Sequence, residues 1–436
     1  LCFCNGRGVL LRAGIVSVLC IFIGVGEAFS PARLDALGLP LLAQQRTSVS
    51  QRSQPDKEAQ SINDYNAGVS LMHQGRNEAA VAAFKSAVRL RPDFAQAHFA
   101  LGVLYQHTGE AGRAVAELKE VERINPDFSD AYNNLGALLA KEGQYSQAIG
   151  QLLHALRLNP KDVQAQINMS IVLDHLGEKR ASLQLLEQAV RLAPRNAGVY
   201  LAMGREQHRN SLYDEALKSF RTALQLNPRL PGVRDAMGLT MLALGHSRHA
   251  SAEFKKALQA NPDNPEAFQW LGNIATDEGN LDEAAGFLEK AIHLQPDVYK
   301  TRTQLGEVYR RQKKFHEAEV QFRAALRLDP DGTAALFGLA KLFRAEGKVQ
   351  EAQSYFNHVQ QLHQRSQDAD QATVLNAQGV NLTKKGDYRG AVTALRKALT
   401  IDPSLAVAYH NLAIALAHQG KTQAAIAAFR DAIKLR

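Results

Sequence analysis

The sequence predicts an all-α protein, an α-solenoid of stacked helix–turn–helix units, and three observations carry that expectation. Proline recurs at a step of 34 residues, at Pro92, Pro126, Pro160, Pro194, Pro228, Pro262, Pro296 and Pro330, then at Pro403 after one slip. A strict period of this length marks a stack of small units, not a globule around one core. With each proline set as position 32, units start at residues 61, 95, 129, 163, 197, 231, 265, 299, 333, 372 and 406. Position 8 is then Gly in eight of the eleven units, position 20 is Ala in ten (Ser182 differs) and position 27 is Ala in nine (Val121 and Val359 differ). Large apolar residues fill the places between at helical spacing.

Residues 1–30 are different in kind. Arg7 and Arg12 precede an uncharged apolar run from Ala13 to Val25, and Gly26-Glu27-Ala28 supplies small residues for a signal-peptidase site. The run of 13 is short for a membrane span, which needs about 20 residues. A signal peptide is the expectation, an uncleaved inner-membrane anchor the alternative. Residues 31–60, rich in Gln, Ser and charge, are expected as a flexible linker. All three cysteines (Cys2, Cys4 and Cys20) lie ahead of it, so residues 31–436 hold no disulfide, no Cys metal site and no Cys nucleophile.

The repeats themselves follow from helix periodicity. In repeat 3, Tyr132, Leu135 and Leu139 mark one face of a first helix. Gly143 ends it, and Tyr145, Ala148, Leu152 and Ala155 form the inner face of a second helix closed by Asn159-Pro160. Gly and Ala on one side let two antiparallel helices approach to about 8–10 Å. A lone unit cannot bury its apolar face, so stability comes from stacking. Repeats 1–9 are expected over 61–366 and repeats 10–11 over 372–436. Between them, Gln364 stands where proline belongs and residues 367–371 are extra. This stretch is either a run-on of the second helix of repeat 9 or a loop insertion.

The pattern of Leu-Gly at positions 7–8, Ala at 20, Phe at 24 (Phe84, Phe220, Phe254, Phe322 and Phe429), Ala at 27 and Pro at 32 resembles the tetratricopeptide repeat. The resemblance implies a right-handed superhelix and a non-catalytic scaffold that binds a protein or peptide in a concave groove lined by first helices. It also implies which positions meet a ligand, namely 2, 5, 9, 12 and 13. Here these offer Tyr65 and Phe99 at position 5, and a basic group of Lys300, Arg310, Arg311, Lys341 and Arg344 in repeats 8 and 9. Such a face suits an acidic peptide. Trp270 lies two residues from Phe268 in the buried stripe Phe268, Leu271 and Ala275, so it points off that stripe. No repeat has Lys at position 5, so the chaperone-binding carboxylate clamp is not expected. Asn at position 6, as in the superhelix of O-linked N-acetylglucosamine transferases, occurs at Asn66, Asn134, Asn168 and Asn411 only. A targeting subunit for a separate envelope or glycan-acting enzyme is therefore the alternative function.

Other chemistry finds little support. There is no phosphate-binding glycine loop, His-Glu-x-x-His, Gly-x-Ser-x-Gly or Cys-x-x-Cys, so no catalytic residue, cofactor or metal site is expected. His73, His107 and His175 recur at position 13, but neighbouring ridges are about 8–10 Å apart, far beyond the reach of one zinc ion. A net charge of +8 over 436 residues is too dilute to imply nucleic acid. The membrane enters only if the N-terminal segment stays uncleaved. Repeat 11 leaves the apolar side of Ala424, Ile426, Ala428 and Phe429 partly uncovered, so weak self-association through repeats 10–11 is expected. An exported bacterial protein, periplasmic or extracellular, is the expected setting.

Overall fold

The structure is a computed structural model and describes residues 54–435. The expected signal segment and most of the expected linker lie outside the described residues. Twenty-one α-helices, and no strands, make up the described residues. They alternate as first and second helices of the repeats, from Gln54–His73 to Thr422–Lys434. The first helix reaches back to Gln54, into the stretch expected to be linker. An ion pair between Glu58 and Arg91, at 3.5 Å, ties that extension to the second repeat's approach.

The local rules of the sequence are obeyed repeat by repeat. The turn inside each repeat needs a left-handed residue at position 15. Nine repeats supply Gly there, among them Gly75, Gly143 and Gly347, while Ser211 and Lys313 adopt the same conformation at φ 62°. Position 8 must be small for a different reason. A Cβ on Gly136 would lie 2.6 Å from Leu152, and one on Gly204 would lie 2.5 Å from Phe220. The residue at position 24 therefore lies directly across the first helix of its own repeat. Phe84, Phe220, Phe254 and Phe322 are all but completely buried there. Each such ring contributes about 1.5–3 kcal/mol by leaving water.

The chain divides into two compact units, the first ending at Ala260 and the second running Asn261–Arg436. Unit one holds repeats 1–6, and its largest core cluster runs without a break from Tyr65 to Val172. Unit two holds repeats 7–11. Inside it the extra residues 367–371 are helical. The second helix of repeat 9 and the first helix of repeat 10 are one 36-residue helix, Val349–Lys384.

Candidate functional site

Inter-repeat hydrogen bonds fix how the first helices lie. Asn168 Nδ2 donates to Asn133 Oδ1 at 2.8 Å, Gln269 Nε2 to Gln304 Oε1 at 2.9 Å, and Asn411 Nδ2 to Asn376 Oδ1 at 2.9 Å. Each joins position 5 of one repeat to position 6 of the next. Arg311 Nη1 likewise donates to the carbonyl of Thr276 at 2.8 Å, joining position 13 to position 12 of the repeat before. Where repeats stack within a unit, successive first helices thus run parallel and in register, and equal positions form rows across them.

In unit two, one such row is basic. Arg310 and Arg311 end the first helix of repeat 8 (Tyr299–Arg311), and Lys341 and Arg344 occupy the last two turns of that of repeat 9 (Thr333–Ala345). Positive charge there also complements the carbonyl ends of both helices. The four are not equally available. Arg310 makes a two-bond pair with Glu307, at 2.6 and 2.8 Å, and that hydrogen bonding holds its guanidinium above the usual arginine range. Arg311 is exposed but pinned to repeat 7. Lys341 is exposed with its ammonium 4.3 Å from the centre of the Phe337 ring. Arg344 is exposed and has no acidic partner among the described residues. Lys300 is exposed too, but it sits at position 2, about 15 Å down the helix axis from position 12. The structure does not bring it to the cluster.

Three expected contact residues need correction. Tyr65 and Phe99 are 0% and 1% exposed, so neither can meet a partner. Tyr65 packs against Phe84 and Phe94 at 5.7 and 5.3 Å, and burial pushes its hydroxyl up to about 12. Phe99 packs on Phe128 at 5.1 Å. An aromatic ring at position 5 reaches the aromatic residue at position 34 of its own repeat, Phe94 or Phe128, and is drawn into the core. Asn168 spends its amide on the structure, donating to Asn133 and accepting from Gln164 at 3.1 Å. Asn134 and Trp270 are half-buried, and Asn134 donates to the carbonyl of Asp130 at 2.8 Å.

The sequence reading passed over two features. Phe337, at position 5 of repeat 9, is 41% exposed beside the basic row. Its place in the position-5 set was legible; its exposure was not. In unit one, Glu206 is 0% exposed, paired with Arg209 at 2.6 Å and bonded by Asn210 at 2.8 Å. Arg209 also pairs with Asp174 of repeat 4 at 2.7 Å. Burial raises the Glu206 carboxyl, and Arg209 opposes that rise. Adjacent burial lowers Arg205 to about 10. The run Gly204-Arg205-Glu206-Gln207-His208-Arg209 was the available signal, since it puts charge on inward positions. Among the described residues no group of three or more His, Cys, Asp or Glu is placed to hold a metal ion. No described helix is long and apolar enough to cross a membrane.

An all-helical stack of 34-residue hairpins with parallel first helices is a protein-interaction repeat fold. Tetratricopeptide repeat models match residues 95–128 and 299–331, 129–162, 169–233, 235–298 and 376–436, and 332–404, and a TPR repeat model matches 68–109. The chain belongs to the tetratricopeptide repeat family. Its structure is similar to that of yeast Tom70, with 16% identity over 86% of this chain and 92% of that one and a TM-score of 0.37. A tetratricopeptide repeat protein from Parabacteroides merdae is 15% identical over 56% of this chain and 97% of its own, with a TM-score of 0.48. Pseudomonas aeruginosa PilF is 19% identical over 49% and 96%, at 0.41. No curated protein matches the chain.

Proposed function

We propose that the chain is a non-catalytic scaffold that binds an acidic segment of a partner protein along the first helices of repeats 8 and 9. The observation that carries this reading is the pair Lys341 and Arg344. They stand one turn apart on the same helix face, exposed, with no carboxylate against either among the described residues. Arg310 differs from them because Glu307 already satisfies it. A carboxylate that reaches Lys341 and Arg344 gains charge-assisted hydrogen bonds with little side-chain reorganisation. We further propose that the protein is exported, on the strength of the basic-then-apolar segment Arg7 to Val25.

The test uses fluorescence anisotropy with two labelled peptides, one alternating Glu and Leu and one alternating Lys and Leu. The wild-type chain should bind the acidic peptide and not the basic one, more weakly as salt rises. Lys341→Glu/Arg344→Glu should weaken that binding by about tenfold or more, equivalent to about 1.4 kcal/mol. Equal binding of both peptides, or binding indifferent to the double substitution, would remove the basic row as the site.

A further inference from the structure

The junction between repeats 9 and 10 differs from the other described junctions, and it leaves two matching faces open. Within each unit, position 27 of one repeat packs against position 3 of the next. Ala155 clusters with Ala165, Ala223 with Val233, Ala325 with Ala335, and Ala398 with Ala408. In these pairs the two residues are ten apart in sequence, across the turn that ends in proline. At the odd junction the pair is Val359 and Val374, fifteen apart on one continuous helix. Fifteen residues of α-helix span about 22 Å, so the two cannot touch within one chain in this form.

Burial records the consequence at position 3 of repeat 10 and at position 24 of repeat 9. Val359 at position 27 stays 9% exposed, much as Ala432 at position 27 of repeat 11 is 8% exposed with no described repeat after it. Position 3 is buried at Ala97, Ala131, Ala165, Val199 and Val233 in unit one, and at Thr301, Ala335 and Ala408 in unit two. At repeat 10 it is Val374, 67% exposed. Position 24 is all but fully buried in repeats 1–8 and in repeat 10, yet Phe356 of repeat 9 is part-exposed, as is Phe429 of repeat 11. Repeat 9 thus ends like a terminal repeat while repeat 10 begins like a first one. The core divides at the same place. The cluster of repeats 8 and 9, from Ala318 to Ala352 with Tyr355 and Phe356 against it, shares no residue with those of repeats 10 and 11. Phe337 and Phe356 meet edge to face at 5.6 Å on that open face. By the position 5 to position 6 rule, Phe337 would meet Ala377, which is exposed.

We propose that a second copy of this chain closes the junction, repeat 10 of each copy stacking on repeat 9 of the other. The occupant follows from the geometry. Only a repeat's own successor face has the shape and register to cover Phe356 and Phe337, and the straight helix holds the chain's own copy of that face out of reach. A second chain presents the same pair of faces, so two junctions form about one twofold axis and the association closes at a dimer. This surface is separate from the apolar side of repeat 11 but borders the basic row, since the Lys341 ammonium lies over the Phe337 ring. Sedimentation and crosslinking are read without peptide, so the dimer stands or falls independently of the peptide-binding proposal.

The experiment uses the full chain with Cys2, Cys4 and Cys20 changed to Ser. One version carries Val359→Cys and another Val374→Cys; they are mixed, unfolded and refolded together, and oxidised. The expected product is a disulfide-linked pair containing one of each. Sedimentation should give a dimer, and Val374→Asp should raise its dissociation constant by about 30-fold or more, the size of a hot-spot loss. Val374 is exposed in the subunit, so this variant should keep its helical signal. A monomer at all concentrations would overturn the proposal. So would the absence of a mixed pair together with a disulfide formed within a third version carrying both Val359→Cys and Val374→Cys, because repeat 10 would then fold back on its own repeat 9. A dimer insensitive to Val374→Asp and giving no crosslink would overturn it as well, placing association on another face.

Discussion

Replacing Gly338 with alanine tests how one repeat is locked to the next beneath the basic row. Gly338 stands at position 6 of repeat 9, over the Phe322 ring of repeat 8. A Cβ there would lie 2.3 Å from Cε1 and 2.5 Å from Cζ of that ring. The ring cannot retreat, because a Cβ on Gly306 behind it would already be 2.8 Å away. Overpacking of this kind costs about 1–3 kcal/mol, and the better helix propensity of alanine returns about 1. The net expectation is a loss of up to about 2 kcal/mol. Gly286, in the second helix of repeat 7 (Leu281–Leu294), is the control, since nothing lies within 4 Å of a Cβ there. Gly286→Ala should stabilise by about 0.5–1 kcal/mol, so Gly338→Ala should fall below it by about 0.5–3 kcal/mol. Urea unfolding followed by the fluorescence of Trp270, the single tryptophan, reads unit two directly. Repeat arrays need not unfold in two states, so the midpoints are compared. If Gly338→Ala unfolds at or above the midpoint of Gly286→Ala, the two-sided clamp on Phe322 is refuted.

Two further outcomes are expected. Asn168→Ala leaves the nearly buried Asn133 amide oxygen without its donor, which should cost about 1–3 kcal/mol, and Asn133→Ala/Asn168→Ala should cost less than the two single losses added. A pH effect should arise at His98. Burial alone would lower its pKa, but the hydrogen bond to Glu117 at 2.7 Å, the bond to the Pro92 carbonyl at 3.0 Å and the nearby negative charge raise it overall above 6.5. A raised histidine gives stability that is fully present below 6.5 and lost as pH climbs through the folded value. Denaturant midpoints should therefore fall across that window in the wild type and stay flatter in His98→Gln; an unchanged slope would refute the role of the Glu117 contact.

Much of the fold was legible because each repeat repeats the same local constraints. Proline at position 32 must end a helix wherever it stands. Glycine at position 8 reports the close pass of the residue at 24, as Gly136 and Leu152 show. The site was legible only in part. Tyr65 and Phe99 have the right positions for a groove and are core residues all the same, because a ring at position 5 can turn onto an aromatic residue at position 34, here Phe94 and Phe128. Phe337 at the same position is exposed, since no repeat 10 lies against it. Asn134 and Asn168 illustrate the same ambiguity. Both stand at position 6, but only Asn168 finds an amide at position 5 of the preceding repeat.

The sequence by itself determined the class, the period, the eleven hairpins and the row of charge at the ends of two first helices. Those features depend on spacing along the chain, which backbone geometry converts into structure with few alternatives. Tertiary structure decided which charges are already spent, as with Arg310 against Glu307 and Arg311 against the Thr276 carbonyl. It also decided that residues 367–371 continue a helix instead of turning back. Without proline at position 32, local helix propensity is unopposed there. Whether such a stretch bends then rests on what repeat 10 can stack against, and that is a property of surfaces far apart in sequence.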